Sequence, residues 1–517
     1  MRPLLAAAVL AAVCATGGCR NSTAYAATDT PRALDASVVP PTEVGMNLSS
    51  VGPYALANSF ADLIKAHGGV WLVPPAGAWQ FPSQDILTPD GRPVNVPLGT
   101  KLMVEVQPDP HWQPREIICH VSKGWRVGVS LGNTKVGNDQ DFRIVPASNS
   151  TSNTSPIMLS LIANSNPASL DQLSCRANEA GKDDLFLPQF TENLRPFHVL
   201  RFMDWMKANK TKTKSWSDRP TPDDFDQFTR GVAVENMVAL ANQQQADAWF
   251  TLPLDADAEY HRAFATYVRD HLKPGLKVYV ELSNEVWNTA FQQGKLAVER
   301  GKARYPTESA AVAADFYYAD RLREVMPIWS EVFASQPKRL VRVAASQAAW
   351  PERAENILSH EQTWKSVDML ATAPYLNDNP FAITANDAQG RIDSLFARSA
   401  GIIDEAIKHS LKSKIIAAKY GLRYGTYEGG PGYVTGQQEM QMQLNAMARD
   451  PRMYDLYSQF LNRWQKEIGG LYVAYTFVDA YGKFGAWGHK EYDGQPLSEA
   501  PKMRALVDFI QRSSARK

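Results

Sequence analysis

Two glutamates stand where apolar runs stop. Glu285 follows the run Lys277 to Leu282 in the string Ser283-Asn284-Glu285-Val286-Trp287-Asn288. Glu428 follows Leu422 to Tyr427 and precedes Gly429-Gly430. They lie 143 positions apart (428 − 285). Two carboxyls are what glycosidic-bond cleavage with retention requires. One protonates the leaving oxygen and the other attacks the anomeric carbon, across about 5–5.5 Å. The acid must keep its proton near neutral pH while the nucleophile stays ionised. Asn284, beside Glu285, suits a bond to a sugar 2-hydroxyl. Arg201 and Tyr375 suit bonds that keep Glu428 charged. Each also has a plainer use, Arg201 as a salt-bridge residue and Tyr375 as a core aromatic. Trp205 and Trp287 offer flat faces for sugars, and serve equally well in packing. Glu281, Asp204 and Asp479 are rival carboxylates. Glu281 shares a strand face with Glu285 and suits pairing with an arginine. Glu235 opens a helix, where the dipole favours a carboxylate in any case.

For these residues to meet, the chain must bring distant strand ends together. The sequence reads as strands at 44–48, 198–203, 248–252, 277–282, 340–344, 367–373, 422–427 and 471–478. Helical patterns at 234–244, 260–272, 313–334, 391–409, 437–468 (broken near Pro451) and 500–511 lie between them. Alternation of this kind means a parallel sheet. Eight such units close into a (β/α)8 barrel, an α/β fold whose chemistry sits at the C-terminal ends of the strands. Residues 43–78 read as the first β/α unit and 191–517 as the remainder of the barrel. Between them, 79–190 changes character. Turn signals such as Pro89-Asp90-Gly91 separate short alternating runs such as Leu102 to Val106 and Trp125 to Val129, the pattern of an all-β, sandwich-like insertion. Ser148 to Ser155 reads as a loop within it. This module is either an appendage that stabilises the barrel or a carbohydrate-binding unit that extends its cleft.

Composition sets the outer bounds. The 517 residues carry 54 Lys+Arg against 54 Asp+Glu, and a chain with no basic excess is a poor general nucleic-acid binder. Leu4 to Val13, behind Arg2, is too short to span a bilayer and reads as a leader ending by residue 26. Ala24-Tyr25-Ala26 fits cleavage before Ala27. Thr16-Gly17-Gly18-Cys19 offers the other outcome, a lipidated Cys19 as the membrane attachment. Residues 27–42 read as a Pro-rich linker. Either outcome places the protein outside the cytoplasm: periplasmic, outer-membrane or extracellular. Beyond the leader only Cys119 and Cys175 occur, a candidate disulfide in an exported chain. No metal-ligand spacing and no cofactor motif is present, so none is expected. Lys207, Lys210, Lys212 and Lys214 form a basic run after the second barrel strand, a solvated face or a contact to an acidic polysaccharide.

The strings Leu200-Arg201-Phe202-Met203-Asp204-Trp205, Ser283 to Asn288 and Tyr427 to Gly430 resemble clan A of the retaining glycoside hydrolases. More narrowly, they resemble exported bacterial proteins often labelled cellulose-binding. The resemblance spans roughly 195–490 and the first strand, and leaves out the β insertion. It implies a (β/α)8 barrel with Glu285 as acid/base and Glu428 as nucleophile. It also implies Asn284 on the 2-hydroxyl, Arg201 and Tyr375 orienting Glu428, and Trp487 as the floor of the central sugar subsite. The clan's frequent histidine near strand three or four is missing: strand three ends Thr251-Leu252-Pro253. The expected activity is retaining hydrolysis of a β-linked polysaccharide or oligosaccharide. Two alternatives use the same residues: a non-catalytic glycan-binding protein and a transglycosylase.

Overall fold

The computed structural model describes residues 31–74, 78–112, 114–130, 132–146, 156–376 and 388–514. The leader with Cys19 and the Ser148–Ser155 loop lie outside the described residues.

Strand β1 (Thr42–Asn47) opens the barrel. Eight short strands follow: β2 (Val70–Leu72), β3 (Lys101–Gln107), β4 (Ile117–Val121), β5 (Trp125–Val129), β6 (Thr134–Gly137), β7 (Asp141–Val145), β8 (Ile157–Ala163) and β9 (Leu173–Ala177). The barrel then resumes with β10 (Val199–Arg201), β11 (Asp247–Leu252), β12 (Val278–Leu282), β13 (Leu340–Ala345), β14 (Met369–Thr372), β15 (Arg423–Thr426) and β16 (Gly470–Ala474). The order β1-β10-β11-β12-β13-β14-β15-β16 is closed, and every pairing is parallel. This is the (β/α)8 barrel that the alternation of strands and helices implies.

Side chains on a strand alternate between faces, so every second residue enters the barrel. Val199, Trp249, Tyr279, Val341, Val343, Met369, Ala371, Leu471 and Val473 fill it as one apolar cluster. The space left is small. At Gly45 an added Cβ would lie 2.9 Å from the Val199 carbonyl oxygen and 3.1 Å from Val473 Cγ2, so β1 can approach its neighbours only as glycine. One step towards the C-terminal end the inward residues turn polar. Asn47, Arg201, Thr251 and Glu281 are all buried there, and the site is built on this layer.

Helices Val234–Gln244, Ala258–His271, Gln292–Arg304, Ala310–Val332, Glu352–Ser359, Ser399–Lys419, Arg452–Arg463 and Pro501–Ser514 surround the barrel. Gln292–Arg304 escapes sequence detection because its buried positions are Gln293, Gly294, Ala297 and Gly301, which form no apolar stripe. The long pattern at 437–468 is two helices, Gln438–Arg449 and Arg452–Arg463, separated by Pro451.

β2 to β9 form two four-stranded antiparallel sheets, β2-β3-β8-β5 and β6-β7-β4-β9. The first of these strands, Val70–Leu72, lies upstream of residue 79, where the sequence changes character; three residues are too few to show a period. Residues 31–41, read as linker, run along the barrel. Leu34 donates to the Ala418 carbonyl, and the Pro40 carbonyl accepts from Gly470. The β unit is stitched to the loop after β1 by Ala61→Leu185, Leu187→Ser59 and Ala177→Ala61 backbone bonds. The Asp62 carboxylate adds bonds from the Cys175 and Ile64 amides. Cys119 on β4 lies directly opposite Cys175 on β9, and the two are disulfide-bonded.

Removing this cross-link as Cys119→Ser/Cys175→Ser frees a 56-residue separation. It is expected to lower the stability of the β unit by about 4 kcal/mol on the chain-entropy account. Thermal unfolding with and without reductant checks this: the wild type should fall towards the variant when reduced, and the variant should not respond.

Candidate active site

Arg201 ends β10 and points into the barrel with no exposed surface. All five of its N–H groups are used. Nε and Nη2 donate to Glu281 at 2.9 and 3.1 Å. Nη1 donates to Asn47 Oδ1 at 2.8 Å and to Glu428 Oε1 at 2.7 Å. Nη2 also donates to Asn284 Oδ1 at 2.8 Å. Burial alone would pull the guanidinium's pKa down, but the facing Glu281 and Glu428 carboxylates more than offset this and hold it charged. Glu281 is tied further by Trp249 Nε1 at 2.8 Å and Thr251 Oγ1 at 3.3 Å. It therefore acts as the counter-ion of Arg201, as its strand face suggests.

Glu428 follows β15 and is buried. Its second oxygen accepts from the Tyr375 hydroxyl at 2.7 Å. Tyr375 remains a phenol, because burial and the Glu428 charge push its ionisation well above the ordinary value. Glu428 is thus bonded on both oxygens by donors from two other strand ends.

Glu285 sits in a different environment. The chain turns sharply after β12, with Ser283 at φ 62° and Glu285 at φ 42°. Non-glycine residues held in this left-handed region cost on the order of 1–3 kcal/mol each, and such residues cluster at functional sites. Among the described residues only Asn288 bonds the Glu285 carboxyl, through Nδ2 at 2.9 Å. Burial first, and then the Glu428 charge, push its pKa up to about 8. Asn284 is fixed on both sides. Its oxygen accepts from Arg201, and its Nδ2 donates to Asn209 Oδ1 at 3.1 Å. Gln293 Nε2 donates to the same Asn209 oxygen at 2.7 Å.

Trp487 is half-buried, edge-on to Tyr375 (5.3 Å between centroids) and to Tyr475 (5.9 Å). Its Nε1 donates to the Phe484 carbonyl at 2.8 Å. Trp287 is half-buried and reaches the Tyr427 hydroxyl at 3.4 Å. The structure therefore gathers Arg201, Asn284, Glu285, Trp287, Tyr375, Glu428 and Trp487 at one end of the barrel. Trp205 is excluded, against its reading as a sugar-binding ring. It is 1 % exposed, packed among Phe60, Phe186, Phe190 and Phe202, and its Nε1 donates to the Ser49 carbonyl. Both of its faces belong to the packing between barrel and β unit. The basic run does not form a continuous charged face either. Lys207 Nζ donates to the Phe228 carbonyl at 2.6 Å, and Lys214 pairs with Asp255 at 3.6 Å.

Asn47, Asn209, Gln293 and Trp249 are missed by sequence reasoning. Asn47 had a signal, a polar residue ending an apolar strand two positions after Gly45. Asn209 and Gln293 had none, because their role comes from loop and helix packing.

No family model matches the chain, and no curated protein matches it in sequence. Solved structures with partial likeness include AbfB, a family 51 α-L-arabinofuranosidase from Bifidobacterium longum, at 10 % identity and TM-score 0.40, covering 64 % of this chain and 69 % of that one. They also include the CBM22-1–GH10 modules of Clostridium thermocellum xylanase 10B, in complex with xylohexaose, at 9 % identity and TM-score 0.31, covering 88 % and 96 %. A third is the Thermotoga maritima β-glucosidase in complex with castanospermine, at 11 % identity and TM-score 0.33, covering 62 % and 84 %.

Arg201→Met would leave Glu281 buried without its counter-charge. A loss of about 3–5 kcal/mol is expected, read from denaturant midpoints. Trp205→Ala should cost a similar amount, about 3–5 kcal/mol, as a core deletion, while Trp205→Phe is tolerated.

Proposed function

We propose that the protein is a retaining glycoside hydrolase acting on a β-linked polysaccharide or oligosaccharide. The observation that carries the reading is the contrast between the two carboxyls. Glu428 lies between a guanidinium and a phenol, and Glu285 is half-buried with one amide donor and a raised pKa. An acid and a nucleophile at one site need that difference.

In the first step a Glu428 oxygen attacks the anomeric carbon, and Glu285 gives its proton to the departing glycosidic oxygen. A glycosyl ester on Glu428 results. In the second step Glu285, now a carboxylate, takes a proton from water as that water attacks the same carbon, and Glu428 departs. Arg201 and Tyr375 hold Glu428 in place through both steps. The remaining N–H of Asn284 Nδ2 is the group available to a sugar 2-hydroxyl, since its other polar positions are engaged. Trp487 and Trp287 supply apolar faces for the ring. Export is part of the proposal: the Cys119–Cys175 bond suits a chain that matures outside the cytoplasm.

Glu428→Gln should abolish product release from a panel of β-glucans, mannan, xylan and galactan, read by mass spectrometry. Release that persists in this variant would remove Glu428 from the nucleophile role. Glu285→Gln should slow substrates with poor leaving groups by about 10²–10⁴-fold and spare only kcat/KM, which reports the first step, for those with an activated aryl leaving group. A carboxylic acid with a raised pKa donates until pH climbs through that value. kcat/KM on natural glycans should therefore fall as pH rises past about 8. This limb should vanish in Glu285→Gln assayed with an activated aryl glycoside.

A further inference from the structure

The outer face of the sheet β2-β3-β8-β5 carries a row of aromatic rings that no catalytic step uses. Trp71 on β2 lies opposite Met103 on β3, and with Met158 the two form a small apolar cluster separate from the main core. The row extends to both sides of Trp71. Tyr54 meets it edge-on with centroids 6.2 Å apart, and Phe81 meets it at 6.4 Å. Gln80 exchanges two backbone bonds with Leu72, which sets Phe81 beside Trp71 and Trp79 beside Val73 on this same face. Trp71 is buried beneath its neighbours, but Tyr54 is 65 %, Phe81 70 % and Trp79 50 % exposed. Three large exposed aromatics so close together are unusual on a protein surface and mark a contact site.

Tyr54 stands at φ 67° as the third residue of a turn closed by the Ala55 amide on the Gly52 carbonyl, and this turn presents its ring to solvent. Glu105, two residues after Met103 and thus on the same face, is buried beneath the row, with neither carboxylate oxygen in contact with solvent. Lys101, two residues before Met103, is exposed on that face.

The position of the row narrows the ligand. Tyr54 belongs to the loop that leaves β1 at Asn47, a direct partner of Arg201. Leu56, two residues on, accepts from the Asp493 amide in the stretch that follows Trp487. The row therefore continues from the rim of the catalytic end onto the β unit. Flat exposed rings suit the C–H faces of pyranoses. We propose that the Tyr54–Trp71–Phe81 row, with Trp79, is a second, non-catalytic binding surface for a β-linked glycan chain whose other end enters the barrel. The inference rests on the glycosidase reading for the identity of that chain.

The test uses the full-length exported protein as Glu428→Gln, with and without Tyr54→Ala/Trp79→Ala/Phe81→Ala. Trp71 is left in place because it is buried. Both forms are run in native gels containing soluble β-glucan, glucomannan, xylan or galactan, and sedimented with insoluble cellulose. Retention by at least one of these glycans is expected, weakened roughly tenfold or more in the triple variant, the scale of lost ring stacking. With Glu428 intact, the triple variant should raise KM on that polymer and leave kcat/KM for an aryl glycoside unchanged. Equal retention of both forms, or no retention by any glycan, would overturn the proposal. So would a dimer, measured by light scattering, that the triple variant dissolves. Aryl-glycoside turnover reports on the glycosidase reading separately, so retention without turnover would remove that reading and leave the binding surface standing.

Discussion

The five N–H groups of Arg201 are the constraint on which the C-terminal end of the barrel depends. A guanidinium has a fixed planar fork, so its partners must arrive from set directions. Here they come from the ends of β1, β10, β12 and β15: Asn47, Arg201 itself, then Glu281 with Asn284, and Glu428. A buried cation of this kind is stable only when fully paired and bonded. That requirement fixes the relative heights of four strands and, with them, the two residues that would touch substrate. Lysine in the same place would offer three donors and no plane.

The same arrangement divides labour between the carboxylates. Arg201 shares its single positive charge between two carboxylates, Glu281 within the scaffold and Glu428 at the site. Glu285, on the strained turn after β12, receives no guanidinium bond and keeps its proton through burial and the repulsion of Glu428. Two residues of one type, four positions apart on the same strand end, thus become a counter-ion and an acid, because one points at the arginine and the other does not.

How far the sequence discloses this differs by level. The eight barrel strands are legible because each is a short apolar run bounded by helical periodicity; their bounds differ by a residue or two at the ends, except that the last stops at Ala474, four residues before the end of the run read to 478. Glu285, Glu428, Arg201, Asn284 and Tyr375 are legible because they follow those runs. Trp205 is not, because a tryptophan after a strand looks the same whether its neighbours are sugars or Phe60 and Phe186. Those neighbours come from the β unit's attachment, which local pattern does not encode. Asn209 and Gln293 are invisible for the same reason: a loop amide and a helix amide meet only through tertiary packing. The helix Gln292–Arg304 hides because it packs by small residues, its Gly294 and Gly301 lying where any Cβ would strike backbone at 2.1 and 2.3 Å.

The pairing of β1 with β16 sets an order of events during folding. The first strand of the barrel waits for the last, and the whole β unit and seven further strands emerge before the ring can shut. Until then the nascent sheet has two open edges, each a template for another chain. The disulfide-linked β unit closes on contacts within its own stretch of sequence and can form early. It leaves the β1 edge tethered beside a folded body until the last strand docks. A barrel assembled this way is most exposed to misassociation in the interval before its final strand arrives, and least so once that one seam has joined.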